Sequence, residues 1–169
     1  VATETLEMLQ EKPEIDTIIV PIGGGSGAAG TCIAAKSINP EIKVIGVQSE
    51  AAPAAHDSWK QGSLVERPNR TSAEGLATGV AFELPQSILR DHLDDFILVS
   101  EQEIMRSIIW MIQHAHTLAE GAGAAPLAAA YRIRKRLKGK KVGLICSGGN
   151  LSLAKLRKAV DFAMSNPNL

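Results

Sequence analysis

Three observations predict an open α/β fold, with a mostly parallel twisted sheet and helices on both faces. Short, nearly all-apolar runs at Ile15–Ile22 and Lys43–Val47 have the pattern of strands buried on both sides. Helical stretches alternate with such runs along the whole chain. Two of the runs, DTIIVPI and KVGLIC, end in glycine-rich turns that lead into helices. A strand–loop–helix–strand order of this kind makes neighbouring strands parallel, joined by right-handed crossovers. With 169 residues the chain is long enough to bury one core. Residues 1–169 are therefore read as a single α/β domain.

Residues 2–11 place Leu6, Met8 and Leu9 among Glu and Gln, a short amphipathic helix that Pro13 ends. The first strand follows, then GGGSG, then an alanine-rich helix from about Ala28 to Ser37. Lys43–Val47 is the second strand. Residues 54–62 read as a short helix, and the next stretch as a loop punctuated by Pro68 and Gly75. Pro85 in a first turn opens a helix that runs to Leu93. Asp95–Val99 is a strand. Ser100-Glu101-Gln102-Glu103 is a capping box, and behind it Ile104, Ile108, Met111, Ile112 and Ala115 recur at helical spacing. Gly121 and Gly123 are expected to interrupt the helical pattern, so that the next helix runs from about Ala124 to Leu137. Lys141–Cys146 is the last strand, and a final helix runs from about Ser152 to Met164.

Composition excludes several classes. Apolar residues make up 45% and charged residues 21%, with Lys plus Arg equal to Asp plus Glu at 18 each. Such balance argues against a nucleic-acid or membrane-surface role. No apolar run approaches the roughly 18 residues of a membrane span. With no signal peptide in view, the expected location is the cytoplasm. Two cysteines do not make a disulfide framework; Cys32 reads as a small buried hydrophobe. His114 and His116, two apart on a helix, do not face one another. The basic run from Arg132 to Lys141 carries no aromatics and reads as a solvated helix end.

The strongest local signal is PIGGGSGAAG, residues 21–30, with five glycines among residues 23–30. Glycines between a buried strand and a helix bring backbone N–H groups close to an anion, and the helix N-terminus adds positive charge. A phosphate group is the expected ligand. Residues 25–30 also match G-x-G-x-x-G, with Glu50 just past the next strand, so Gly25, Gly27, Gly30 and Glu50 keep open a dinucleotide-binding oxidoreductase. A second signal, Cys146-Ser147-Gly148-Gly149-Asn150, puts a hydroxyl at the end of a buried strand, where open α/β sheets bind ligands. In a third, AEGAGAA, Glu120 is a lone carboxylate among small residues that suit close packing.

In order and spacing these motifs resemble the fold-type-II pyridoxal-phosphate (PLP) enzymes, of tryptophan-synthase-β-like fold. Within them the likeness is to the serine/threonine dehydratases (threonine ammonia-lyases) and serine racemases. It covers nearly all 169 residues. GGGSG looks like that family's phosphate loop, VIGVQSE its second strand, TSAEGLATG its T-x-A-[DE]-G segment, LAEGAGAAPLAA its E-x-x-G-A segment, and CSGGN its C-terminal SGGN. The resemblance implies PLP as cofactor, its phosphate held by backbone N–H groups of Gly23, Gly24, Gly25, Ser26 and Gly27. It implies that Ser147 hydrogen-bonds the pyridine nitrogen, a neutral partner that leaves the ring a weaker electron sink and favours β-elimination over transamination. Glu120 is expected near the cofactor or structuring its surroundings. The implied reaction turns a small hydroxy amino acid into a 2-oxo acid and ammonia, by a cytoplasmic homodimer.

The pattern is incomplete. The resemblance expects a Schiff-base lysine in an S-x-K motif well upstream of the phosphate loop; Ser58-Trp59-Lys60 matches in letters but lies downstream and is rejected. The asparagine loop and the smaller, closing domain are likewise missing. No catalytic residue is therefore assigned within these residues, and the chain is expected to be the C-terminal part of a larger enzyme, inactive alone. Gln48 and Ala54 stand where the family's divalent-cation site expects acids, so no metal is expected, although Glu50 and Asp57 lie near. A serine racemase-like activity and a non-catalytic half of a split enzyme remain as alternatives.

Overall fold

The computed structural model describes residues 1–166. Helix α1 (Ala2–Glu11) precedes strand β1 (Thr17–Pro21), helix α2 (Ser26–Ile38) and strand β2 (Lys43–Ser49). Helix α3 (Ala54–Gln61), a short 3₁₀ turn (Glu74–Leu76) and helix α4 (Glu83–His92) lead to strand β3 (Asp95–Val99). Helices α5 (Glu101–Ala115) and α6 (Gly121–Arg132), strand β4 (Val142–Leu144) and helix α7 (Leu153–Ser165) complete the order.

The four strands form one parallel sheet in the order β3-β2-β1-β4. Side chains alternate across it, as a strand's period of two requires. Ile18, Val20, Val44 and Phe96 pack with Leu9, Cys32 and Leu89 under α1, α2 and α4. Ile19, Ile45, Val47, Ile97 and Val99 face the other way, against Ile104 and Ile108 of α5 and the alanines of α6. Both faces are thus covered, which is why these strands read as continuous apolar runs. Ala122, Ala124, Ala125, Ala128 and Ala129 are all buried, and their small side chains let α6 lie close on the sheet.

Most expected elements are present with shifted ends. The capping box forms: the Ser100 hydroxyl accepts from the Glu103 N–H at 3.3 Å, and the Glu103 carboxylate accepts from the Ser100 N–H at 2.8 Å. A cap of this kind contributes about 1 kcal/mol.

The sixth helix differs from expectation at both ends. Gly121 and Gly123 do not interrupt it; they form its first turn, because its start is pressed against other backbone. A Cβ at Gly121 would lie 2.7 Å from Ala73 Cβ, and one at Gly123 would lie 2.5 Å from the Gly148 carbonyl oxygen. At the other end α6 stops at Arg132, not Leu137. The basic run that follows is not simply solvated. Arg132 donates to Glu103 at 2.9 and 2.8 Å, to Glu50 at 2.9 Å and to the Leu98 carbonyl. Arg136 pairs with Asp95 at 2.7 Å.

The chain leaves β1 toward β2 and β3 on one side and returns to the other side for β4. Strand order therefore reverses between β1 and β4. The crevice at the carboxyl ends of those two strands is where an open parallel sheet places its ligand.

Candidate active site

Both glycine-rich turns emerge at this crevice. A concavity of about 170 Å³ there is lined by Gly23, Gly24, Gly25, Ser26 and Gly27 from the turn after β1, and by Ser147 from the turn after β4. Gly23 and Ser147, 124 positions apart in sequence, thus share one wall.

The first turn is built from its backbone. Gly25 has φ of +91° and is the residue before α2, a conformation that costs a residue with a Cβ about 1–2 kcal/mol. Ser26 and Gly27 belong to the first turn of the helix, so the loop is shorter and the helix longer than the sequence suggested. The first N–H groups of a helix have no intrahelical acceptor. Among the described residues, no protein acceptor takes the N–H of any residue from 23 to 28. A row of open donors at a helix N-terminus favours an anion.

The second turn is held by the start of α6. The Glu120 N–H donates to the Gly148 carbonyl at 3.0 Å. A Cβ at Gly148 would come within 2.5 Å of Glu120 Oε1, and one at Gly75 within 3.5 Å of it. The Glu120 carboxylate therefore sits between the TSAEG and SGGN segments. Cys146 does not line the concavity; its Sγ faces Gly123 instead. No lysine lines it either, among the described residues. Lys60 of the rejected Ser58-Trp59-Lys60 is exposed on α3, and its Ser58 is a buried structural hydroxyl donating to the Ala54 carbonyl at 2.7 Å.

Of the four residues of the dinucleotide alternative, Gly25 and Gly27 line the concavity, but Gly30 and Glu50 are engaged elsewhere. Gly30 faces Ala2 at the α1–α2 contact, and Glu50 pairs with Arg132. Asp57 is held by His56 at 2.9 Å and Arg67 at 2.5 Å; burial pushes its carboxyl up, and these partners more than offset it and hold it low. Cys32 is wholly buried, and burial pushes its thiol up to about 12, so it is inert at neutral pH.

Sequence reasoning gave no structural role to three polar residues behind the crevice, Gln48, Thr78 and Glu101. Gln48, wholly buried, accepts from the His56 N–H at 3.0 Å, and Thr78 between it and the first turn donates to the Gly23 carbonyl at 3.4 Å. Glu101 accepts from Ser49 Oγ at 2.8 Å, Thr71 Oγ1 at 2.6 Å, Ser72 N at 2.8 Å and Ser72 Oγ at 2.6 Å. Nothing in local sequence marks Glu101 beyond its place beside the capping serine.

Residues 1–148 match the family described as pyridoxal-phosphate dependent enzymes. An L-threonine ammonia-lyase of Geobacter sulfurreducens is 40% identical over 161 residues, covering 92% of this chain and 39% of the relative. The catabolic L-threonine dehydratase of Escherichia coli is 39% identical over 160 residues, covering 93% of this chain and 49% of the relative. The solved structure of maize serine racemase superposes with a TM-score of 0.85 at 34% identity, over 95% of this chain and 52% of that one. The chain thus spans about two-fifths to one-half the length of these relatives. With both glycine-rich turns meeting at the switch point of a parallel sheet, and the family match running through all four of its strands, the chain belongs to the pyridoxal-phosphate dependent enzymes.

Proposed function

We propose that this chain forms the phosphate-binding and pyridine-facing wall of an ammonia-lyase that removes the β-hydroxyl and amino groups of a hydroxy amino acid, leaving a 2-oxo acid and ammonia. The observation that carries the proposal is the shared concavity: open N–H donors on one side and the Ser147 hydroxyl on the other. The residues present fit the cofactor. Backbone donors without a side chain to fill the cradle suit a phosphate, and a hydroxyl at the opposite turn suits a ring nitrogen. The names of the relatives supply the substrate class.

Each residue has a task. The N–H groups of Gly23, Gly24, Gly25, Ser26 and Gly27 bind the phosphate, with the α2 dipole behind them. Ser147 Oγ donates to the ring nitrogen without bringing a charge. Glu120 positions the SGGN turn through its N–H and the packing of its carboxylate on Gly148. When bound, PLP supplies an electron-withdrawing ring that stabilises negative charge at the substrate Cα. The lysine that carries the cofactor is assigned outside residues 1–169, a placement supported by the absence of lysine from the lining described above. A cytoplasmic homodimer without nucleic-acid or membrane partners completes the proposal, supported by the balanced charge and the family resemblance; no helix among the described residues is long and apolar enough to cross a membrane.

The likeness to a serine racemase supports a second reading, inversion at Cα of the same substrate class. The test is to incubate the protein carrying this chain, with PLP, with L-serine and L-threonine, and to follow 2-oxo acid, ammonia and D-amino acid together. Oxo acid with equimolar ammonia is the expected product. D-amino acid without oxo acid establishes the racemase reading, and neither product overturns both. Ser147→Ala should lower turnover about tenfold, the loss of one hydrogen bond of about 1.4 kcal/mol. Thermal stability should be unchanged, because Ser147 is exposed.

A further inference from the structure

We propose that Glu101 is a positioning residue for the phosphate cradle, acting through the Thr71–Gly75 segment. The inference rests on the proposed function and adds a residue outside its binding wall.

Glu101 is the first residue of α5, next to the capping Ser100, and holds the start of the TSAEG segment whose Gly75 end abuts the glycine turn. Its two carboxylate oxygens accept four hydrogen bonds, three of them from residues 71 and 72 and one from Ser49 at the end of β2. Four donors converging on one carboxylate require it to be ionised. Burial pushes the Glu101 carboxyl up, but the hydrogen bonds from Ser72, Thr71 and Ser49 outweigh burial and hold it below the usual range. It also sits at the positive end of α5, which favours its charge.

The segment that Glu101 grips touches the glycine turn and the start of α6. Its Gly75 carbonyl presses on Gly23 so closely that a Cβ there would overlap the oxygen. Gly75 also abuts Ala122, and Ala73 abuts Gly121, both in the first turn of α6. Glu74 pairs with Lys155 of α7 at 2.6 Å, just beyond the SGGN turn. The segment is otherwise irregular backbone apart from a single 3₁₀ turn. Its placement against Gly23 is fixed by the anchor at its start together with Ala73 and Leu76, which are buried in the core. A shift of a few tenths of an ångström at Gly75 must move the Gly23 backbone, and with it the direction of the N–H donors that follow. Glu101 touches no cofactor or substrate atom; it sets where the donors point.

The test separates positioning from general stability by using two ligands that differ only in the phosphate. Apo-protein is titrated with PLP and with pyridoxal, by equilibrium dialysis, and the ratio of the two affinities is read. Glu101→Gln keeps the shape but turns an N–H toward the Ser72 donors. The expected result is a ratio about tenfold lower than in the wild type, with pyridoxal affinity within about twofold. A ratio unchanged in E101Q overturns the proposal, as does an equal fall in both affinities, which is the mark of a merely structural role. Should E101Q lose its circular dichroism spectrum, Thr71→Val removes one donor and keeps the volume; a ratio about threefold lower supports the proposal and an unchanged ratio overturns it. A wild-type ratio near one strikes instead at the phosphate cradle itself, and both the proposed function and this inference then fall.

Discussion

At the carboxyl ends of β1 and β4 the polar groups are backbone amides of glycine-rich turns, while at the amino ends of β1, β2 and β3 they are carboxylates already matched to protein donors, cationic for Asp94 and Asp95 and neutral for Asp16. Asp94 accepts from Lys36 Nζ at 2.7 Å, Lys43 Nζ at 3.0 Å and the Val44 N–H at 2.8 Å. Asp95 pairs with Arg136, and Asp16 accepts from Thr17 Oγ1 at 2.8 Å. At the opposite end the N–H groups of residues 23–28 have no protein acceptor among the described residues. Satisfied groups stabilise the fold and have little left to offer a ligand. Open donors are held in place by packing, and a ligand that fills them gains what the fold has forgone. The same sheet thus carries stability at one end and binding at the other, and substitutions should separate the two.

The largest effect is expected at Gly23. A Cβ there would meet the Gly75 carbonyl oxygen, which is backbone and cannot swing away. Gly23→Ala should therefore displace the turn and weaken PLP binding about a hundredfold, the cost of misdirecting one or two charge-assisted hydrogen bonds of about 1.5–3 kcal/mol each. Equilibrium dialysis measures it. Binding within threefold of the wild type would show that the turn is not the cradle.

Asp94→Asn probes the other end. It removes a charge shared by two lysines, and an expected cost of about 2 kcal/mol lowers Tm by about 4–8 °C for a chain of this length, with PLP affinity unchanged. Burial pushes the Asp94 carboxyl up, yet Lys36, the Val44 N–H and Lys43 hold it below its ordinary 3.8. The folded value is thus lower than the unfolded one, so the stabilisation is fully present above pH 3.8 and lost as pH falls through the folded value. Urea unfolding between pH 7 and pH 3 should show wild type and D94N converging at the acid end. Parallel curves would assign the Asp94 contribution to something other than its charge.

The binding end was the more legible of the two in sequence, because backbone chemistry leaves local marks. GGGSG after an apolar run and SGGN after another announce themselves, since only glycine permits the close approach at Gly23 and the positive φ at Gly25. Ser100 and Glu103 likewise sit three apart and form the capping box they spell. What escaped was chemistry assembled across sequence distance. Glu101 meets Ser49, Thr71 and Ser72 only because β2, a loop and α5 converge, at separations of 52, 30 and 29 residues. Arg132 read as one cation in a basic run, and its acceptors lie on α5 and at the ends of β2 and β3. The start of α6 was misjudged for a related reason. Gly121 and Gly123 look like breakers when only propensity is counted, whereas their lack of Cβ serves contacts with residues 73 and 148.

The smallest expected effect tests whether a glycine at the amino end matters for binding at all. Gly139 precedes β4 with φ of +80°, and a Cβ there would meet nothing within 4 Å. Gly139→Ala then costs only the left-handed backbone, about 1–2 kcal/mol, partly offset by about 0.4–1 kcal/mol from a stiffer unfolded chain. The net of about 1 kcal/mol should lower Tm by about 2–4 °C. PLP affinity should stay at the wild-type value, in contrast to G23A. Calorimetry with and without cofactor reads both quantities. A G139A protein that loses cofactor affinity would mean that the two ends of the sheet are coupled through β4, and the division of labour drawn from their chemistry would fail.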